Sequence, residues 1–446
     1  MSVRLRQWSR WFAPGIGVKR WAVVLAGGIL VIGAGASLLV NFKPLGWLEH
    51  LVFRAALSLL ILTQGSISPT VFGTVLILAG GALVFYGLRG TIQSIAGALM
   101  PRGETPLVDV LHQQRHRRRG RRVVAIGGGT GLSTLLRGLK EYTDHLTAVV
   151  TVFDDGGSSG RLRRELGILP PGDIRDCLVA LAESEPLMTQ LFEYRFQGGA
   201  LDGHAFGNLF IASLAGVTGD LESAVKETSK VLNIRGRVLP SAVEDVVLAA
   251  TFEDGSVIEG ESQITRARKR IATVALKPAD VAPVPEVLQA LAEAELIVLG
   301  PGSLYTSVIP NLLVRGIADA IRSNRAALRV YVCNVMTQPG ETDGFSAGEH
   351  VRKLIGQVGD GLFTHVLVNV QRPRNRSLLA RYEAEGATPV EPDVEAIRAL
   401  GVIPVEAHLI SEEDVVRHDP ASVSRALMRL LVAGTPLREP VAAEAR

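Results

Sequence analysis

The sequence contains only two cysteines, Cys177 and Cys333, in 446 residues. They lie far apart, and each falls within an apolar segment of the chain. Disulfide frameworks and structural zinc sites require more cysteine or histidine at close spacing. We therefore expect neither of these, and we expect two reduced, buried thiols of the kind found in cytosolic proteins.

Acidic residues are scarce in the first quarter of the chain. Residues 1–122 hold fifteen Lys and Arg against three acidic residues, a net charge of +12, whereas the whole chain carries +3. The remaining residues therefore sum to −9. Because the basic character belongs to the N-terminal part, the larger C-terminal part gives no electrostatic reason to expect a nucleic-acid partner.

Charged residues are absent from two long apolar runs, residues 22–40 and 71–88. Each approaches the roughly 20 residues with which a helix spans a bilayer. A third run, residues 55–63, is too short, and we expect it at the membrane interface or packed on the other two. Residues 1–100 are therefore predicted to be a membrane anchor with two transmembrane helices. The alternative is that these runs are buried core helices of a soluble domain.

Basic residues flank the outer ends of both runs, at residues 4–20 and from Arg89 through residues 115–122. By the positive-inside rule both ends face the cytoplasm, which two spans satisfy. This predicts a multi-pass protein of the inner (cytoplasmic) membrane with its large C-terminal domain in the cytoplasm. A cleaved signal peptide is the competing interpretation of the first run. The basic linker, residues 101–122, either binds anionic lipid or is a solvated stop-transfer segment.

The chain lacks the Gly-Lys-Ser/Thr ending of a P-loop, and its glycines do not fit G-x-G-x-x-G in register. It nevertheless has a glycine turn, residues 127–131, between an apolar strand and a leucine-rich helix. Glycine lets a backbone approach a pyrophosphate, and the helix directs free N–H groups at the anion. Asp154 follows the next apolar run, where dinucleotide-binding folds place a ribose-binding carboxylate. The turn is predicted to bind phosphate; the alternative is a strand-to-helix bend without a ligand.

From residue 123 onward, strand candidates alternate with helical patterns, which favours an α/β fold with a mainly parallel sheet covered on both faces. Further strand candidates are residues 296–300, 328–333 and 364–370. Residues 238–276 differ, because two strand-like runs flank Asp254-Gly255, a hairpin signal that predicts a small β-rich insertion. The domain is expected to cover residues 123–435, with a loose tail at residues 436–446.

Polar clusters follow several of these strands, at the sheet edge where ligands collect. No nucleophile stands at a recognisable spacing from an activating base, so catalysis has no direct sequence signal. Any single residue of these clusters could instead be structural, as a helix cap is. The candidate ligand-binding residues are Gly127, Gly128, Gly129, Thr130, Gly131, Asp154, Asp155, Ser158, Ser159, Arg163, Asp173, Arg175, Asn208, Gly302, Ser303, Tyr305, Asn334, Thr337 and Gln338.

The motifs form an ordered set: GGGTGL (127–132), DDGGSSGRLR (154–163), PGDIRD (171–176), GHAFGNL (203–209), GPGSLYTSVIPNLL (300–313) and NVMTQPGETDG (334–344). This set resembles the YvcK-type gluconeogenesis factors, bacterial relatives of the 2-phospho-L-lactate transferase that builds a deazaflavin cofactor. The resemblance covers essentially all of residues 122–435. It implies a Rossmann-like three-layer αβα domain that binds UDP-sugars such as UDP-N-acetylglucosamine. It also implies a regulatory role in carbon metabolism, cell shape and envelope synthesis; the N-terminal anchor departs from soluble members.

Three functions stay open at this point. A sensor needs only ligand-binding groups, and Tyr305 is then expected to pack its ring on the base or sugar. A transferase acting on a deazaflavin acceptor would need a divalent cation such as Mg²⁺, for which Asp154, Asp155 and Asp173 are candidates. An NAD-dependent enzyme is the third. The expected partners are a UDP-sugar and inner-membrane lipid, with envelope-synthesis proteins and a second copy of the chain as further candidates.

Overall fold

The computed structural model describes residues 18–40, 47–62, 68–99, 117–183 and 186–433. The chain divides between His112 and Gln113 into two compact units, here called the helical unit and the α/β domain. The predicted loose tail and most of the predicted basic linker lie outside the described residues.

The helical unit contains α1 (Val18–Val40), α2 (Trp47–Leu62) and α3 (Pro69–Leu99). Two stretches, Arg20–Leu39 in α1 and Pro69–Ser94 in α3, are long and apolar enough to cross a membrane, with mean hydropathies of 2.3 and 2.1. The two predicted apolar helices are thus confirmed as helices, and both are longer than predicted. The third apolar run belongs to α2, which begins well before the predicted residue 55.

Helices α1 and α3 pack antiparallel through glycines. A Cβ placed on Gly28 would lie 2.9 Å from the carbonyl oxygen of Gly80, and one on Gly80 would lie 2.8 Å from that of Gly28. Gly35 and Gly73 make the same reciprocal approach one heptad away, at 2.7 and 3.0 Å. Only the absence of side chains lets these backbones meet, which is the packing mode common between membrane helices.

The α/β domain alternates strands and helices, with helices added before β3. Its first half contains β1 (Val123–Gly127), α4 (Gly129–Leu139), β2 (Leu146–Val150), α5 (Gly157–Leu166), α6 (Gly172–Leu181), α7 (Pro186–Glu193), α8 (Phe206–Thr218), α9 (Leu221–Val231), β3 (Arg237–Pro240), β4 (Val247–Phe252), β5 (Val257–Glu259), α10 (Glu261–Ala267) and β6 (Ile271–Lys277). The second half contains α11 (Pro285–Glu293), β7 (Leu296–Leu299), a π-helix (Leu304–Val308), α12 (Ile309–Leu313), α13 (Ile317–Ser323), β8 (Leu328–Val332), α14 (Ala347–Val358), β9 (His365–Asn369), α15 (Arg376–Glu385), α16 (Val394–Ala399), β10 (Ile403–Ala407), β11 (Ile410–Glu412), β12 (Val416–His418) and α17 (Pro420–Ala433).

The main sheet has seven strands in the order β10-β9-β8-β7-β1-β2-β3, and all its pairings are parallel. In the middle of the sheet Ile126 of β1 stands opposite Leu299 of β7 and Val149 of β2. Every residue of these three strands is buried, because helices cover the sheet and water reaches neither face. The predicted α/β fold with a mainly parallel sheet is confirmed.

The β-rich insertion is a separate antiparallel sheet in the order β5-β4-β6. Asp254 shapes the predicted hairpin, since its Oδ1 accepts the backbone N–H of Ser256 at 2.9 Å. The insertion begins later than the predicted residue 238, because Val238 belongs to β3 and pairs with Ala148 in the main sheet.

The arginines at the end of the predicted linker fold onto the α/β domain. Arg117 is buried and lies 3.7 Å from the carboxylate of Asp144. Arg121 pairs with Glu295 at 2.5 Å. The basic segment that remains for lipid or solvent is therefore shorter than residues 101–122.

Candidate functional site

The strand order changes direction beside β1: β2 and β3 lie on one side and β7 to β10 on the other. In α/β sheets ligands bind at the carboxyl ends of the strands at such a switch point. A cavity of about 670 Å³ opens here between the loops that follow β1, β7 and β8. The predicted site residues that line it are Gly128, Gly129, Thr130, Gly131, Gly302, Ser303, Asn334, Thr337 and Gln338.

The glycine turn leads from β1 directly into α4. Gly127 ends the strand, and Gly129 has φ +59, a conformation that favours glycine. A Cβ on Gly131 would lie 2.5 Å from the carbonyl oxygen of Pro301, so the turn after β1 touches the turn after β7. The N-cap residue, Gly128, has no side chain to cap the helix. The first amides of α4 therefore have no helical partner beside the cavity.

Asp173, the second residue of α6, supports this turn and does not line the cavity. Its Oδ2 accepts the Thr151 hydroxyl at 2.7 Å, and its carboxylate accepts the backbone N–H of Gly129. Burial raises the pKa of Asp173 to about 6, and repulsion from Asp154 and Asp176 acts in the same direction. The carboxylate thus fixes the turn, although burial and the neighbouring negative charges disfavour its ionised form.

The turn after β7 is held by Asn334. The backbone N–H of Gly302 donates to Asn334 Oδ1 at 3.1 Å, and Asn334 Nδ2 donates to the Gly302 carbonyl at 2.8 Å. Thr337 likewise accepts the backbone N–H of Thr388 at 2.8 Å. Gln338 differs, because its enclosed Oε1 has no partner within the described chain. Asn334 and Thr337 therefore shape the wall, while the Gln338 Oε1 is enclosed by protein and does not open to the cavity.

Two carboxylates, Glu261 and Glu341, also line the cavity. Burial raises the pKa of both, and the nearby charges of Asp173 and Asp154 raise that of Glu261 further. The hydroxyl of Ser303 donates to Glu341. Carboxylates in a half-enclosed cavity suit a ligand that presents O–H or N–H donors.

Several other predicted residues form a buried network outside the cavity lining. Asn208 Nδ2 donates to Ser158 Oγ at 3.1 Å and lies 3.4 Å from Ser159 Oγ. Arg175 donates to Asn208 Oδ1 at 3.0 Å, and His204 Nδ1 lies 3.1 Å from Ser158 Oγ. The network joins α5, α6 and α8, so these side chains position helices.

The acidic pair after β2 is also used within the protein. Asp155 accepts the backbone N–H of Ser262 at 2.8 Å and so ties down the start of α10. Asp154 accepts the backbone N–H of Gly156 at 2.8 Å. In the described ranges no three His, Cys, Asp or Glu side chains converge as metal ligands would.

Arg163 and Tyr305 lie away from the cavity. Arg163 donates to the Val246 carbonyl at 2.7 Å and pairs with Asp245. Tyr305 is 1% exposed, and its hydroxyl donates to the Ile271 carbonyl at 3.3 Å. The expected packing of the Tyr305 ring on a ligand is therefore corrected: the apolar surroundings enclose this ring in the core.

The structure adds cavity residues that the sequence analysis did not select. Tyr382 of α15 and both Arg417 and His418 of β12 line the cavity, together with the two glutamates. The hydroxyl of Tyr382 accepts the backbone N–H of Val416 at 3.2 Å, which fixes the tyrosine against β12. Glu341 falls inside the last polar motif and could have been selected. Glu261 follows Gly260, which has φ +93, and could also have been selected. Tyr382, Arg417 and His418 follow no glycine turn, so their sequence carries no comparable signal.

Comparison with known proteins places this architecture in a family. Residues 123–410 match the family model described as 2-phospho-L-lactate transferase CofD. A protein named gluconeogenesis factor from Halalkalibacterium halodurans is 50% identical over 308 residues, which cover 69% of this chain and 95% of the relative. The gluconeogenesis factor of Bacillus subtilis is 48% identical over 312 residues, with 70% and 98% coverage. The chain belongs to the gluconeogenesis factor family.

Membership in this family confirms the resemblance that the motifs carry. A crystal structure from Bacillus halodurans, described as a member of the UPF0052 family, has a TM-score of 0.67 and 49% identity and covers 69% of this chain and 99% of its own. A gluconeogenesis factor relative from Nostoc sp. is 47% identical over 435 residues, covering 96% of this chain and 93% of the relative. The similarity to the Nostoc protein therefore extends into the helical unit.

Proposed function

We propose that this gluconeogenesis factor family protein is a regulator that binds a UDP-sugar, such as UDP-N-acetylglucosamine. Its binding state would link carbon metabolism to cell shape and envelope synthesis. The observation that carries the proposal is the mixed chemistry of the cavity at the switch point. Free helix amides, an arginine, an aromatic ring and carboxylates line one space.

Each part of a UDP-sugar has a suitable group in this lining. The amides of Thr130 and Gly131 at the start of α4, with the guanidinium of Arg417, suit the diphosphate. The ring of Tyr382 suits stacking on uracil. Glu261 and Glu341 suit the donors of the sugar hydroxyls. The volume of about 670 Å³ lies within the usual range of roughly 300–1,000 Å³ for small-molecule sites.

Calorimetric titration of the full chain in nanodiscs tests this proposal. We expect saturable binding of UDP-N-acetylglucosamine, no comparable heat with NAD, and recovery of the nucleotide sugar intact by chromatography. Absence of binding to any UDP-sugar would contradict the proposal, whatever the state of the helical unit.

A transferase is the second candidate, because the matched family model is described as a 2-phospho-L-lactate transferase. Incubation with a deazaflavin acceptor and a nucleotide-activated substrate in the presence of Mg²⁺ would then yield a transfer product. If that product forms with turnover above one per chain, the enzyme displaces the sensor as the main function.

We further propose that α1 and α3 anchor the protein in the inner membrane. Only 22% and 17% of their two apolar stretches are buried, whereas the core helix of a soluble domain would be mostly buried. Large side chains point outward, among them Val23 (71% exposed), Leu78 (69%) and Phe85 (63%). Arg20 and Arg89 lie at the same end of the antiparallel pair, which favours a cytoplasmic location for that end.

Reporter fusions test the topology. Fusions after residues 10, 45 and 120 should report cytoplasmic, external and cytoplasmic locations. An external signal after residue 120 would contradict the assignment and remove the α/β domain from cytoplasmic nucleotide sugars.

A further inference from the structure

His418 ends β12 and lines the cavity, yet among the described residues only one of its ring nitrogens has a hydrogen-bond partner. Nε2 lies 3.1 Å from the carbonyl oxygen of Cys333, at the end of β8. A carbonyl oxygen only accepts hydrogen bonds, so Nε2 must carry the proton. The tautomer of this histidine is therefore fixed by its backbone partner.

The other nitrogen, Nδ1, is consequently an acceptor. The side chain is 6% exposed, and burial lowers the pKa of His418 to about 4, so the ring is neutral at cytoplasmic pH. The bond to the Cys333 carbonyl, which favours the charged ring, only partly opposes this. In the described ranges no acidic side chain contributes to stabilising the imidazolium.

Within the described part of the chain, Nδ1 accepts no hydrogen bond. It is also not among the unpartnered atoms that the described residues fully enclose, and His418 is one of the residues that line the cavity, so we infer that Nδ1 lies at the cavity wall. Other polar groups of the cavity wall already have hydrogen-bond partners. This neutral acceptor is therefore suited to a hydrogen bond from a donor group of the ligand. Arg417, the preceding residue, can bind only acceptors, so the two neighbours differ in what they select.

We propose that His418 Nδ1 accepts a hydrogen bond from an N–H or O–H group of the bound ligand and thereby determines specificity. This inference rests on the proposed nucleotide-sugar site and names one of its selecting groups. The donor is either the uracil N3–H or a hydroxyl or amide of the sugar. The bond to Cys333 positions the ring so that Nδ1 faces the cavity.

Two substitutions separate ligand contact from positioning. Glutamine places its amide nitrogen near the Nε2 position, so His418→Gln keeps a donor for the Cys333 carbonyl and loses the Nδ1 acceptor. Asparagine places a polar atom near the Nδ1 position, so His418→Asn keeps the acceptor and loses the Cys333 bond. We expect His418→Gln to melt like the wild type and bind UDP-N-acetylglucosamine about tenfold more weakly, as loss of one buried hydrogen bond implies.

His418→Asn should show the opposite pattern, with a lower Tm and an affinity near that of the wild type. Uridine diphosphate is the second probe. An equal loss for both ligands in His418→Gln assigns the donor to the shared uridine moiety, and a loss confined to the sugar nucleotide assigns it to the attached sugar. Wild-type affinity in His418→Gln, or equal weakening in both variants, would overturn the proposal.

Nitrogen-15 NMR of the histidines gives a readout that does not depend on affinity. In the free protein the His418 ring should show an unprotonated Nδ1 and a protonated Nε2, and only the Nδ1 resonance should move when ligand is added. A protonated Nδ1 in the free protein would overturn the inference even if no UDP-sugar binds. Failure of this inference and failure of the proposed function are therefore distinguishable.

Discussion

The helical unit and the α/β domain place their apolar and polar groups in opposite ways. In the α/β domain every residue of β1, β2 and β7 is buried, and polar groups gather at the strand ends. In the helical unit large apolar side chains face outward, and backbones meet at glycines inside. Burial from water drives the first arrangement, while close van der Waals contact between helix backbones holds the second together.

Glycine illustrates the difference at the level of single residues. Gly80 of α3 lets two helix backbones touch, and this contact contributes only to helix packing. Gly131 of the turn after β1 lets two loops touch, and this contact shapes a cavity to which the first amides of α4 are exposed. The same absence of a side chain therefore packs two helices together in one region and shapes a cavity in the other.

The largest effect is expected for Gly80→Leu. Its side chain would enter the space of the Gly28 carbonyl, 2.8 Å from the Cβ position, and should separate α1 from α3 at a cost of about 3 kcal/mol. Thermal unfolding in nanodiscs measures the loss. Gly81→Leu is the matched control, because beyond its own helix backbone no described atom lies within 4 Å of a Cβ at that position. Equal effects of the two substitutions would show that glycine packing does not hold the unit together.

Gly131→Val should be the counterpart in the α/β domain. The valine would press on the Pro301 carbonyl, push the two turns apart and reduce UDP-sugar affinity more than tenfold, or about 1.4 kcal/mol and above. Calorimetric titration measures this loss of affinity. Gly216→Val in α8 is the control, since beyond its own helix backbone a Cβ there meets no described atom within 4 Å. Unchanged affinity in folded Gly131→Val would make the turn purely structural.

Arg417→Gln tests the charge of the cavity without changing its packing. Loss of a charge-assisted contact to the diphosphate should weaken binding by about 1.5 kcal/mol, near tenfold, with little change in Tm. Arg425→Gln, at an exposed position of α17, should bind normally. A Kd that is equally insensitive to both substitutions would remove Arg417 from the site.

The smallest effect is expected for Asp173→Asn, measured as stability against pH. The pKa of Asp173 is about 6 in the folded chain and 3.8 ordinarily, so the folded state binds the proton more tightly. The free energy of unfolding should therefore fall as pH rises from about 4 to about 6. Asp173→Asn should reduce this slope and stabilise the domain at neutral pH by on the order of 1 kcal/mol. A steeper slope in the variant would contradict the assigned direction.

Some features could be predicted because the signal is local. Strands β7, β8 and β9 begin within a residue of the predicted runs, since each is a short, mostly apolar segment. The hairpin at Asp254-Gly255 follows from turn chemistry, and both cysteines are free and buried as expected. The start of α2 was missed because Glu49 and Arg54 interrupt its apolar pattern.

The sequence by itself determined the parallel α/β class, the two apolar helices and the glycine turns, because periodicity, charge and backbone freedom are properties of neighbouring residues. Only the tertiary structure decided which polar residues share a cavity. Tyr305 follows a glycine turn but points into the core, whereas Tyr382 and His418 follow none and line the cavity. The direction of a side chain depends on how α15 and β12 pack against the strand ends, and contacts between distant segments are not encoded in local pattern.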